Sequence, residues 1–245
     1  MKNTQELFKK FDPTTEGEDM LKLPLRRFSI VDADGIDLVS KIDAVDGVED
    51  KTIVLNMLSD EPYQLNNPYL VATRAEEVID GTLLLATIMH ASKIVVALAK
   101  GTEGLYSEFL SKLELACSSL NFSVALLPDK YPLGDEITLI EALTKKKMNS
   151  VLEVRDAGYL AIDIFSLYVL KKLVLEGEVV VDKPLTIIEL NEDKIETSIA
   201  LVKVGTTIEN LLASVNKDGT MAYKKIVAGG PMRGIALADG KASIA

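Results

Sequence analysis

Between residues 50 and 150, short apolar runs alternate with longer stretches in which apolar residues recur every three or four positions. The short runs are Ile53-Val54-Leu55, Ile94-Val95-Val96-Ala97-Leu98 and Val124-Ala125-Leu126-Leu127, and their length and branched side chains predict buried strands. Asn67-Pro68 reads as an N-cap followed by proline at the first helical position. The helix it opens carries Leu70, Ala75, Val78, Ile79, Leu83, Ala86 and Met89 at near-helical spacing. Leu105, Phe109, Leu113, Ala116, Cys117 and Leu120 line a second helix, and residues 135 to 146 read as a third. Apolar strands separated by helices predict a parallel sheet covered on both faces and joined by right-handed crossovers.

Residues 158 to 175 are apolar almost all round and predict a buried helix. After Gly177 the pattern turns β-rich, through Val179-Val180-Val181, Leu185-Thr186-Ile187-Ile188 and Ser198-Ile199-Ala200-Leu201-Val202. Thr206-Thr207-Ile208-Glu209 has capping-box spacing and opens one amphipathic helix through Val215, and Lys225 to Ala228 reads as a last strand. The expected fold class is α/β, a Rossmann-like parallel-sheet domain followed by a small β-grasp unit. Its expected parts are a partly irregular N-terminal extension over 1–49, the α/β domain over 50–178 and the β-grasp domain over 183–245.

Composition narrows the function classes. A net charge of −10 would repel a phosphate backbone, so no nucleic-acid partner is expected. One cysteine and one histidine leave no internal disulfide, no multi-histidine metal site and no cysteine-ligated cluster within these residues. The N-terminus lacks the apolar core of a signal peptide, and the longest apolar run, Ala157 to Leu170, contains Asp163 and is short for a bilayer. A cytoplasmic location without an integral membrane segment is the expectation.

Three motifs occur in order: Asn56-Met57-Leu58-Ser59-Asp60-Glu61-Pro62-Tyr63, Lys130-Tyr131-Pro132-Leu133-Gly134-Asp135-Glu136, and Gly229-Gly230-Pro231-Met232-Arg233-Gly234. With Arg74 to Gly81 and Val204-Gly205-Thr206, they resemble the RnfC family of electron-transfer subunits, relatives of the flavin-binding NADH-oxidising subunit of complex I. The C-terminal part is similar to that family's soluble-ligand-binding β-grasp (SLBB) module.

The resemblance implies FMN in the α/β domain and onward electron transfer through cysteine-ligated clusters. It also implies candidate cofactor residues: Asn56, Glu61, Gly134, Glu136 and Asp156, with Gly229 and Gly230 as ligand-binding candidates. Ser59 stands where the family has an acid, and Asp156 where it has an amide. Where the family carries a glycine-rich phosphate loop, this chain reads Val31-Asp32-Ala33-Asp34-Gly35-Ile36-Asp37. Each carboxylate there would repel a phosphate, by about 4 kcal/mol at 4 Å and an effective dielectric near 20. The site is therefore expected to be vestigial, with no cofactor, no catalytic residue and no metal; FMN is the alternative.

Plainer readings stand beside these. Glu61-Pro62 can simply end a strand, and Asp135-Glu136 suits a helix N-terminus without any ligand. Asp32, Asp34 and Asp37 resemble a calcium loop in composition only, without the Gly at its required position or the closing Glu, and read as a solvated loop. Cys117 on an apolar helix face is core, and Lys145 to Lys147 complement a helix C-terminus. The expected function is a non-catalytic binding or assembly component of an electron-transfer or reductase system. Its partners would be the other subunits, peripheral to a membrane complex; a small ligand and homo-oligomers stay open. The alternatives are an FMN-dependent electron-transfer flavoprotein, or a cobalamin or other small-ligand binder acting through the β-grasp domain.

Overall fold

The structure is a computed structural model that describes residues 18–28, 30–32, 35–59, 61–191, 194–215 and 223–244. It divides into two compact units. The first comprises Met1–Asp60 and Leu70–Val180, the second Glu61–Tyr69 and Val181–Ala245.

The first unit is built on four parallel strands: β1 (Thr52–Asn56), β2 (Lys93–Ala99), β3 (Asn121–Leu127) and β4 (Tyr159–Asp163), in the order β3-β2-β1-β4. Successive side chains point to opposite faces of a sheet. Val54, Val95, Ala97 and Ala161 accordingly join Leu127, Leu139, Ile140, Met148 and Val154 in one core layer. Ile53, Leu55, Ile94, Val96 and Leu98 point the other way and are also fully buried. This two-sided burial is why the central strands are apolar throughout rather than alternating. At the β3 edge, Val124 and Leu126 are exposed.

The helices of the sequence are α3 (Asn66–Met89), α4 (Ser107–Ala116), α5 (Glu136–Thr144), α6 (Val151–Asp156) and α7 (Ile164–Lys171), preceded by α1 (Glu18–Phe28) and α2 (Leu38–Asp43). Among the described residues before 50, α1 and α2 are regular helices. Leu25, Leu38, Ile42 and Val45 are fully buried there, so an apolar stripe outweighs the polar average.

The single helix expected over 158 to 175 is instead β4 followed directly by α7 and a π-helical turn, Lys172–Glu176. The Asp163 side chain makes the break, accepting a hydrogen bond from the Ser166 amide at 2.8 Å as the N-cap of α7.

The second unit contains an antiparallel pair, β5 (Asp182–Asn191) with β6 (Lys194–Lys203), then α8 (Ile208–Val215), then a second pair, β7 (Ile226–Ala228) with β8 (Ile235–Leu237). Residues 179 to 181, expected to be extended with the rest of this unit, form no strand. The segment Glu61–Tyr69 joins this unit through Leu65, whose amide donates to Thr186 Oγ1 at 2.9 Å, and through Asn66, whose Oδ1 accepts from the same hydroxyl at 2.9 Å.

Candidate functional site

The strand order reverses at β1. The chain runs from β1 to β2 to β3 on one side, then returns to place β4 on the other. Open α/β sheets take ligands outside the carboxyl ends of the strands at such a switch point. Here it lies between Asn56 and Asp163, which are register partners at the ends of β1 and β4. Asn56 Nδ2 donates to the Gly134 carbonyl at 2.8 Å, and Asn56 Oδ1 accepts from the Leu58 amide at 3.2 Å. Two of the expected site residues, from motifs 78 positions apart, are thus bonded to each other at the carboxyl end of β1. Asp135, next to Gly134, is the N-cap of α5 and accepts from the Ile137 and Thr138 amides at 3.2 and 3.3 Å.

Glu136 has a different role from the one expected. Its carboxylate accepts from Arg155 through both oxygens, at 2.6 and 2.7 Å, and from the Ala161 amide at 3.0 Å. Lys41 lies 3.5 Å away, pairs with Asp32 and donates to the Ala161 carbonyl at 3.0 Å. Arg155 also donates to the Tyr159 carbonyl at 3.0 Å. These four charged residues are buried, with Lys41 and Arg155 each 3% exposed, Glu136 5% and Asp32 8%.

Their common target explains them. Gly158 O accepts from Thr52 N, so alternate residues of β4 face β1 while Tyr159 and Ala161 present their peptide groups on the far edge. Arg155, Glu136 and Lys41 occupy hydrogen-bonding positions that a fifth strand would otherwise fill. Glu136 is therefore part of a sheet-edge cap, with both carboxylate oxygens engaged.

The same network offsets one of the loop's charges. Asp32 is neutralised by Lys41 and accepts from the Ile36 amide at 2.9 Å. Asp37 is the N-cap of α2, accepting from Ser40 N at 3.0 Å and Ser40 Oγ at 3.1 Å. Ala33 and Asp34 lie outside the described residues. The repulsion predicted from composition is therefore reduced at Asp32, whereas Asp37 keeps its charge.

Asp156 does not join Asn56 and Gly134. It ends α6 just before β4, at the amino end of the sheet, where Thr52 pairs with Tyr159. The nearby requirement is Gly158, whose φ is +78° and where a Cβ would lie 2.4 Å from the Asp50 carbonyl. The Asp-Ala-Gly motif is thus a tight turn into β4.

Glu61, Gly229 and Gly230 belong to the second unit and meet there. Glu61 accepts from the Met232 and Arg233 amides, both at 2.7 Å, so the glycine turn expected to hold a ligand already holds this side chain. Cys117 is fully buried, and burial pushes its thiol up to about 11, which suits a core residue. Among the described residues, no group of three or more His, Cys, Asp or Glu side chains is arranged to hold a metal ion.

Sequence reasoning missed Lys41, Arg155 and Asp163. A signal existed for Lys41, which falls on the same helical stripe as Leu38, Ile42 and Val45, where a charge requires a buried partner.

Comparison with known proteins gives these positions a context. A family model described as the Nuo51 FMN-binding domain matches residues 30–171, which span the acidic loop, the four strands and both Asn56 and Gly134. The chain is 30% identical over 189 residues to an ion-translocating oxidoreductase complex subunit of Haemophilus influenzae strain PittEE, covering 76% of this chain and 28% of that protein. It is 26% identical over 190 residues to the same-named protein of Klebsiella pneumoniae strain 342, covering 76% and 24%. The chain thus spans about a quarter of the length of these relatives. Among solved structures, an NAD+-reducing [NiFe]-hydrogenase in the H2-reduced state superposes with a TM-score of 0.69 at 15% identity, over 82% of this chain and 40% of that one, a likeness of fold.

The family match overturns the expectation of no cofactor, since it runs through the acidic loop instead of stopping short of it. The residues present fit the correction. Asp32 is paired with Lys41, Asp37 is taken up as the N-cap of α2, and the end of β1 offers an uncharged amide beside a backbone turn. Matched over more than half its length, the chain belongs to the Nuo51 FMN-binding-domain family, the RnfC-type and complex I flavin-subunit-like group.

Proposed function

We propose that this chain is the FMN-binding part of an RnfC-type electron-transport protein and works beside other subunits of an oxidoreductase complex. The observation that carries this reading is the family match across a sheet whose switch point is marked by the Asn56–Gly134 hydrogen bond. Bound FMN would supply one- and two-electron transfer chemistry. Asn56 and Gly134 would hold and orient it. Asp135 keeps the turn in place by capping α5, and Asp163 fixes the opposite lip by capping α7.

Glu136, being buried and fully engaged, supports the site only through the sheet edge. The single cysteine cannot ligate an iron–sulfur cluster, so the onward acceptor in this reading lies outside these 245 residues. Among the described residues no helix is long and apolar enough to cross a membrane, which suits a peripheral place on a membrane complex.

The test is the cofactor content of protein purified without added flavin. Visible flavin absorbance, with FMN released on denaturation and depleted in Asn56→Ala, is the expected result. A colourless protein that stays colourless after incubation with excess FMN and gel filtration would contradict the proposal.

A further inference from the structure

The Gly229-Gly230-Pro231-Met232-Arg233-Gly234 turn has the build of a carboxylate-binding cradle. Two consecutive backbone amides, of Met232 and Arg233, point at one carboxylate, with Oε2 of Glu61 2.7 Å from the first and Oε1 2.7 Å from the second. Arg233 Nε adds positive charge 3.7 Å from Oε1. The Glu61 side chain is only 3% exposed, although Met232 and Arg233 lie on an exposed turn.

Gly230 leaves the space. Its φ is +97°, and a Cβ on it would lie 2.5 Å from Glu61 Cδ and 2.7 Å from Oε2. Gly234 closes the turn by donating to the Gly230 carbonyl at 3.0 Å. Paired amides of this kind recognise anions as nests do. The matched spacing of two oxygens on two adjacent amides suits a planar carboxylate.

We propose that this turn is a carboxylate-binding site whose resident ligand is Glu61, and that the occupied site is a latch holding the segment Glu61–Tyr69 in the second unit. The latch explains why two motifs 171 residues apart occur together. It also assigns Glu61 a positioning role independent of FMN. Tyr63, exposed and at φ +66°, sits in the segment so held, a conformation that a bulky residue adopts only when its surroundings impose it. The ligand class of the vacated cradle is a small monocarboxylate, with acetate and formate as the probes.

The full-length Glu61→Ala variant tests this. Removing a charged acceptor from two amides is expected to lower Tm by about 5 °C. Sodium acetate or formate should then raise Tm saturably in the variant but not in the parent protein, with sodium chloride at equal ionic strength as control. Equal carboxylate effects on both proteins, or none on a folded variant, would overturn the proposal.

If Glu61→Ala does not fold, amide hydrogen exchange in Glu61→Gln decides. The Met232 and Arg233 amides should exchange about tenfold or more faster than in the parent while α5 amides are unchanged. Unchanged exchange at Met232 and Arg233 would overturn the latch.

Discussion

Arg155→Leu is expected to lower the unfolding free energy by about 3–5 kcal/mol, the usual consequence of removing one partner from a buried ion pair. Glu136 would keep the Ala161 amide at 3.0 Å and Lys41 at 3.5 Å but lose its bidentate partner, and the Tyr159 carbonyl would lose a donor. The penalty comes from stranding a charge that is 5% exposed, more than from the attraction lost.

The double variant Arg155→Leu with Glu136→Gln separates these contributions. A neutral glutamine oxygen can still accept from Ala161, so the pair should be more stable than Arg155→Leu alone. Urea unfolding of the three proteins measures both effects. A loss below about 1 kcal/mol for Arg155→Leu, the range of exposed pairs, would mean the network is solvated and does not cap the sheet. Salt should change the difference little, because buried pairs are weakly screened.

Gly158→Ala is expected to cost about 2–5 kcal/mol, combining roughly 1–2 for a left-handed backbone with roughly 1–3 for overpacking. At φ +78° the new Cβ would meet the Asp50 carbonyl at 2.4 Å and Val48 Cγ1 at 3.1 Å. The strand start cannot shift freely, since Gly158 O accepts from Thr52 N at 2.8 Å and sets the register of β4 on β1. Gly47→Ala is the control. Its φ is +88° with nothing within 4 Å of a Cβ, so it should show the backbone cost alone. If the two variants lose the same stability, the close approach at Gly158 has no energetic weight.

The parts of this molecule that were legible in the sequence are those governed by local pattern. The runs at 53–55 and 94–98 announce β1 and β2 because two-sided burial leaves them apolar throughout. Asp135 was recognisable as a cap from its place before an apolar helix. At 158–175 the pattern failed, because a buried strand passes into a buried helix without glycine or proline between them. Asp163 was the one available break, and it was read as a polar interruption instead of a cap.

Of the residues expected at the site, Asn56 and Gly134 come together at the end of β1. Composition counted Asp32 as a free repulsive charge, whereas folding pairs it with Lys41, which no count of acids reveals. Asp156 was misplaced because a motif gives order along the chain but not which end of a strand it occupies. Glu61 and its turn are joined across 171 residues, and nothing local to either motif points to the other.

Whether this chain binds FMN is decided by a calorimetric titration of the flavin-free protein. Saturable one-to-one binding near the micromolar range, about −8 kcal/mol, is expected, with at least about tenfold weaker binding by a folded Asn56→Ala variant. No heat of binding and no quenching of flavin fluorescence at millimolar FMN, with the protein shown to be folded, would contradict it.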